Sequence, residues 1–232
     1  MTTNATATSP RVFVIIPAFN EESVLPPLVS ELAGRYDRVV VIDDGSGDGT
    51  AEAARRAGAV VLRHLINRGQ GAALQTGIEW ALRKGADVVV TFDADGQHRT
   101  EDVGRLLDAL DEQHADVAIG SRFLDLRSDV PPLRRAVLLA AIRFMRLTSG
   151  VSLTDAHNGL RALRREAAEK IRIRLDRMAH ASEIVDQIRE HRLRVVEVPV
   201  VVRYSDYSRR KGQSSLAAFR IAFDYLMQRW FR

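Results

Sequence analysis

The chain has 232 residues, 46% of them hydrophobic, and no cysteine. It can bury a core as one large or two small domains, has no disulfide framework or thiolate metal site, and fits a cytoplasmic setting. The net charge of +4 hides an asymmetry: residues 1–120 hold 11 Lys and Arg against 18 Asp and Glu, and residues 121–232 hold 23 against 12.

In chain order, residues 1–10 are small and polar, lack the basic start and apolar centre of a signal peptide, and read as a disordered lead-in. Residues 12–16 form an apolar run predicted as a buried first strand, stopped by Pro17. Residues 22–35, with prolines near their start, are predicted helical. A second strand over 38–42 ends in Asp43-Asp44-Gly45-Ser46; turn residues follow at 47–50, and a helix begins at 51. A third strand over 59–62 leads through Asn67-Arg68-Gly69-Gln70-Gly71 into a helix over 71–84. A fourth strand over 87–92 ends in Asp93-Ala94-Asp95-Gly96-Gln97; a helix covers 101–113, and a fifth strand over 116–119 ends in Gly120-Ser121-Arg122. Strands alternating with helices predict an α/β fold with a mostly parallel sheet covered on both sides. Ligands of such sheets sit beyond the carboxyl ends of the strands, where every one of these motifs lies.

The second half is less regular. Residues 134–147 read as an amphipathic helix with interleaved arginines, and 155–161 as a loop entering a short strand. Residues 165–170 and 181–191 read as helices, and 195–202 as a strand that Pro199 marks as an edge. A basic loop over 203–214 and a final helix over 216–230 follow. The longest apolar stretch, 136–142, stops at Arg143, far short of the roughly 20 residues that cross a bilayer.

Asp93 and Asp95 offer two hard oxygen ligands on one side of the chain if it stays extended. That chemistry suits Mg²⁺ or Mn²⁺ shared with a substrate phosphate. Neither acidic motif is a calcium loop: one puts His98 and Gly104 where glycine and glutamate belong, and the other puts Arg55 at its twelfth place. Residues 67–71 fail the dinucleotide fingerprint, because Leu74 stands at its third glycine, and no Walker A is present. They read either as a loop whose N–H groups and Arg68 approach a phosphate, or as a simple turn. Arg122 reads as a phosphate ligand or an ordinary ion pair. His98 and His180 are candidate bases, with structural hydrogen bonding the commoner use of a lone histidine. Glu183 either faces the site or sits on a solvated helix.

Taken together, Ile16-Pro17-Ala18-Phe19-Asn20-Glu21, Asp43 to Ser46, Asp93 to His98 and Gly120 to Arg122 resemble the family-2 inverting glycosyltransferases of GT-A fold. The nearest branch is the dolichol- or polyprenyl-phosphate sugar synthases. Asp155-Ala156-His157-Asn158-Gly159-Leu160-Arg161 is similar to that branch's D-x-x-S-G-F-R segment, Glu197-Val198-Pro199-Val200 to its E-V-P-I, and Arg209 to Ser214 to its R-x-x-G-x-S. The resemblance covers about residues 11–215, with a nucleotide-sugar half at 11–122, an acceptor half at 123–215, and an amphipathic helix at 216–232.

The resemblance implies a metal-dependent hexosyltransferase of cell-envelope polysaccharide or glycoprotein synthesis. Its donor would be a nucleotide sugar, its acceptor a polyprenyl (undecaprenyl or dolichyl) phosphate, and its cofactor Mg²⁺ or Mn²⁺. Carried over, Pro17, Phe19 and Glu21 would line the base and ribose, Asp44 would contact them, and Asp43 would support Asp44. Asp93, Asp95 and Gln97 would hold metal and diphosphate, and Arg68 would approach a donor phosphate. Arg122, Arg135, Arg209 and Ser214 would meet the acceptor phosphate, with Asp95, Arg122 and Arg209 carrying catalysis. Asn158 departs from the branch's serine, and the membrane spans of many relatives are not found. Leu216, Phe219, Phe223, Leu226, Met227 and Trp230 recur at helical spacing beside Arg220 and Arg229. They read either as an in-plane membrane-surface helix or as a helix packed on the domain. The expected place is the inner face of the cell membrane, reached by that helix or by a small membrane-protein partner. Two alternatives stay open: a soluble transferase with a hydroxyl acceptor, using Glu183 or Asp155 as base, and a basic nucleic-acid-binding module. The second lacks an aromatic stacking stripe.

Overall fold

The computed structural model describes residues 9–124, 153–176 and 179–203, with positions 135, 136, 139, 142 and 143. Strands β1 (Val12–Ala18), β2 (Arg38–Asp43), β3 (Val60–Arg63), β4 (Val88–Thr91), β5 (Val117–Ser121), β6 (Arg161–Arg164) and β7 (Val195–Pro199) form one sheet in the order β3-β2-β1-β4-β6-β5-β7. Among the described strands only β6 runs against its neighbours, pairing antiparallel with both β4 and β5. The described helices are α1 (Leu25–Ala33), α2 (Thr50–Arg56), α3 (Gln70–Arg83), α4 (Glu101–Glu112), α5 (Arg165–Lys170) and α6 (His180–Glu190).

Alternation builds the core on both faces. Val12, Val14 and Ile16 of β1 meet α1 and α4 with Val39, Val41, Val88 and Val90. Phe13 and Ile15 point the other way and meet α3 and α6 with Val40, Ile42, Val89, Val117 and Ile119. Apolar runs buried on both faces are what a covered parallel sheet requires.

One expected stop is wrong. Pro17 does not end β1, which continues to Ala18 with Pro17 opposite Ile42 of β2. Pairing with β4 stops at Ile15, so Pro17 lies where β1 has no partner on that flank, a position at which a missing N–H is tolerated. The edge expected from Pro199 is observed, since β7 is the last strand of the sheet among the described residues. Six of the described strands share one direction, so the segments after β1, β2, β4 and β5 gather along one rim, together with the segment that enters β6.

Candidate active site

The acidic segment after β4 is a turn. Ala94 and Asp95 are turn residues, so the condition of an extended chain from Asp93 to Asp95 is not met. Asp95 accepts the Gln97 N–H at 3.0 Å, and Gly96 supplies the positive φ of 71° that such a turn needs. The two carboxylates still share one site. Asp93 receives Gln70 Nε2 at 2.9 Å and lies 3.3 Å from His98 Nε2. Burial would raise the Asp93 carboxyl, but the His98 hydrogen bond and the charges of His98, Arg161 and His180 outweigh it and hold it below its ordinary value. Asp95 goes the other way: burial, then the Asp93 charge, push it up to about 6. Two carboxylates competing for one negative charge are a donor pair that a divalent cation relieves. Among the described residues, no group of three or more His, Asp or Glu forms a complete cation site. Asp93 and Asp95 would leave most of the shell to water and substrate oxygens, as Mg²⁺ prefers.

The rim beside β1 and β2 is knit from loops. Phe19 is half exposed, Pro17 half-buried and Glu21 buried. The Glu21 N–H donates to Thr50 Oγ1, and the Asn20 N–H to Ser46 Oγ. Asp43 accepts the Ser46 N–H at 2.9 Å and lies 3.0 Å from Arg63 Nε. Asp44, expected to reach a base or ribose, is buried and engaged within the protein: it accepts the N–H groups of Arg68 and Gly69 at 3.0 and 2.6 Å and lies 2.6 Å from His64 Nδ1. Two of the N–H groups expected to face a phosphate, those of Arg68 and Gly69, are therefore already used by the fold. Those of Gly71 and Ala72 likewise donate to the Asp176 carbonyl. Arg68 keeps a half-exposed side chain 4.0 Å from Asp176.

The second half meets this rim through β6. Thr91 Oγ1 donates to the Gly159 carbonyl at 2.7 Å. A Cβ on Gly159 would collide with the Asp93 carboxylate, so only glycine allows that close approach. Arg161 is 1% exposed; burial pushes its guanidinium down to about 10, while Asp93 and then Asp155 pull it up. His157 is pushed down to about 4, chiefly by burial. Asp155 is fully buried and takes Arg122 Nε at 2.6 Å and the Arg122 N–H at 3.1 Å. Asn158 is also fully buried, donating to Asp155 at 3.3 Å and accepting the Leu160 N–H. The Ser-to-Asn departure is thus absorbed inside the protein. Glu183 accepts the N–H groups of Arg174 and Leu175, both at 2.9 Å, so this expected base serves as a backbone tie.

The structure thus brings Asp93, Asp95, Gln97, Arg122 and the β1 and β2 segments to one rim. Arg135 is exposed on a helical stretch. Arg209, Ser214 and the helix at 216–232 lie outside the described residues, as do residues 1–8 and most of 134–147. Gly159, Arg161 and Glu197 were not singled out individually in the sequence. The last had a signal: it is a lone carboxylate in an otherwise apolar strand.

Residues 13–172 match the family described as Glycosyl transferase family 2. The chain belongs to that family. It is 38% identical over 225 residues to an uncharacterised protein of Methanocaldococcus jannaschii, covering 95% of this chain and 93% of that protein. It is 33% identical over 219 residues to the undecaprenyl-phosphate mannosyltransferase of Micrococcus luteus, covering 89% and 88%. Among solved structures, the glucosyl-3-phosphoglycerate synthase of Mycobacterium tuberculosis with Mn²⁺, UDP and glucosyl-3-phosphoglycerate superposes with a TM-score of 0.66 at 20% identity, covering 94% and 80%. A structure of the same enzyme holds Mg²⁺ and UDP. That likeness is one of fold, and it makes this family-2 chain a GT-A glycosyltransferase in architecture.

Proposed function

We propose that this family-2 glycosyltransferase moves a sugar from a nucleotide-sugar donor to a polyprenyl phosphate and inverts the anomeric centre. The observation that carries the reading is the convergence of paired carboxylates, Asp93 and Asp95, with the buried cations Arg122 and Arg161 at one end of the sheet. Family membership and the likeness to an undecaprenyl-phosphate mannosyltransferase support the acceptor class.

Asp93, Asp95 and Gln97 would hold Mg²⁺ or Mn²⁺, which when bound neutralises charge on a leaving diphosphate. Gln70 and His98 keep Asp93 in place. Pro17, Phe19, Glu21, Asp43, Asp44 and Arg68 form the nucleoside side, with Asp44 acting through the loop it ties. Arg122, its Nε fixed by Asp155, meets phosphate oxygens through its guanidinium charge, and Arg135, Arg209 and Ser214 complete the acceptor site. An acceptor phosphate is ionised at neutral pH and needs no general base. A hydroxyl acceptor needs one, and of the carboxylates expected for that role Asp155 is fully buried with one oxygen on Arg122, and Glu183 is buried with one oxygen on two backbone N–H groups. That favours the phosphate acceptor over a soluble hydroxyl acceptor.

No described helix is long and apolar enough to cross a membrane. We place the protein peripherally at the inner membrane face, through the segment 216–232 or a small membrane-protein partner. A screen of nucleotide sugars with Mg²⁺ or Mn²⁺, with and without undecaprenyl phosphate, tests the reading. The expected product is a glycosyl polyprenyl phosphate of inverted configuration by NMR. Turnover onto a free sugar but not onto the lipid phosphate would overturn it.

A further inference from the structure

Glu197 is the lone carboxylate of β7, between Val195, Val196, Val198 and Pro199. Alternation sends Val196 and Val198 into the core on one face and turns Glu197 to the other, where Leu153 and Ala156 pack. A half-buried carboxylate is costly unless donors meet it, and here the donors among the described residues come from two successive positions. Thr154 N–H reaches its two oxygens at 2.8 and 3.0 Å, Thr154 Oγ1 donates at 2.8 Å, and the Asp155 N–H at 3.1 Å. The Thr154 hydroxyl spends its one proton on the carboxylate, so Ser121 Oγ, 2.6 Å away, donates to it. Ser121 ends β5 and precedes Arg122. The Asp155 side chain then holds Arg122 through Nε and the backbone N–H.

We infer that Glu197 is a positioning residue for phosphate recognition. It pins the 154–155 backbone, the pinned Asp155 fixes Arg122, and Arg122 meets the phosphate. The inference rests on the role proposed above for Arg122. The link is one of orientation, since among the described residues Glu197 bonds to Thr154 and Asp155 and to neither Arg122 nor the paired carboxylates.

The test compares wild type, Glu197→Ala, Glu197→Gln and Thr154→Val in steady-state transfer to undecaprenyl phosphate, with nucleotide-sugar affinity measured separately by calorimetry in Mg²⁺. Misaimed groups cost roughly 10- to 100-fold. The expected loss in kcat/KM for the lipid phosphate is of that order for Glu197→Ala and several-fold for Thr154→Val, with donor affinity within about twofold of wild type. Glu197→Gln keeps an oxygen for the Thr154 and Asp155 donors and is expected to recover most of the activity. Should Glu197→Ala fail to fold, Thr154→Val and Glu197→Gln carry the comparison. Unchanged lipid-phosphate kinetics in the folded variants, or donor affinity falling in step with kcat/KM, would overturn the inference while leaving the proposed function standing. A wild-type chain that turns over no polyprenyl phosphate would sink both.

Discussion

At the scale of single residues, the site depends on where carboxylates are held. Asp93 is fixed by Gln70 and His98, while Asp95 is the carboxylate pushed up to about 6. Asp95→Ala removes half of the pair without opening the core, so transfer is expected to fall by about 10²-fold or more. The far-ultraviolet spectrum and the Tm should stay near wild type; wild-type transfer by this variant would contradict the site. Gly159→Ala is a sharper probe. The added methyl meets the Asp93 carboxylate, and the φ of Gly159 lies outside the left-handed region, so the backbone itself accepts alanine. The expected result is a large loss of transfer and of Mg²⁺ affinity with a small change in Tm. Equal metal affinity in the two proteins would show that Asp93 tolerates displacement.

At the scale of elements, α3 sets how close the helical layer lies to the sheet. A Cβ on Gly77 would meet Ile42 Cδ1 at 2.7 Å and collide with Ile15 Cγ2. Alanine favours a helix over glycine by about 1 kcal/mol, whereas overpacking a filled core costs roughly 1–3 kcal/mol. Both isoleucines are fully buried in adjacent strands and have little room to move, so the steric term wins. Gly77→Ala is expected to lower the urea midpoint, and a raised midpoint would mean the layers can separate freely. The amino end of α3 also sits over the rim, since Gln70 on its first turn holds Asp93. Packing under this helix is therefore coupled to the acidic site.

For the whole molecule, function and much of the electrostatic fastening lie at opposite ends of the strands. Before β4, Asp87 is held below its ordinary 3.8 by the Arg11 N–H and guanidinium. Before β5, burial opposes the shift of Asp116, but the bonds from Arg194 prevail and lower it. A folded-state value below the unfolded one stabilises above the unfolded value and is lost as pH falls through the folded one. Stability is therefore expected to drop below about pH 4. A double Asp87→Asn, Asp116→Asn variant should be less stable at pH 7 and show a shallower acid decline. The surplus of 23 Lys and Arg over 12 Asp and Glu in residues 121–232 belongs to the same scale. If that half faces anionic lipid, co-sedimentation with anionic vesicles should be strong at low salt and fall as salt screens the charges. Binding unaffected by salt would point away from a charge-driven surface.

Composition and periodicity alone determined the alternating strands and helices of residues 12–121, because a covered parallel strand must be apolar throughout and a helix must repeat near 3.6. They also placed Asp43–Asp44, Asp93–Asp95 and Arg122 at strand ends, since the polar residue that closes an apolar run emerges at the sheet's rim. What a side chain touches there was decided only by the tertiary structure. Asp44 ties a loop from beyond β3, Glu183 caps a backbone segment, Asn158 is consumed inside, and Gly159 makes room for Asp93 from 66 positions along the chain. Of these, the approach of Gly159 to Asp93 joins segments far apart in sequence, and it does so beside β6, which among the described strands runs against its neighbours. Periodicity reports on near neighbours and the face they share, whereas partnership across the sheet depends on strand order.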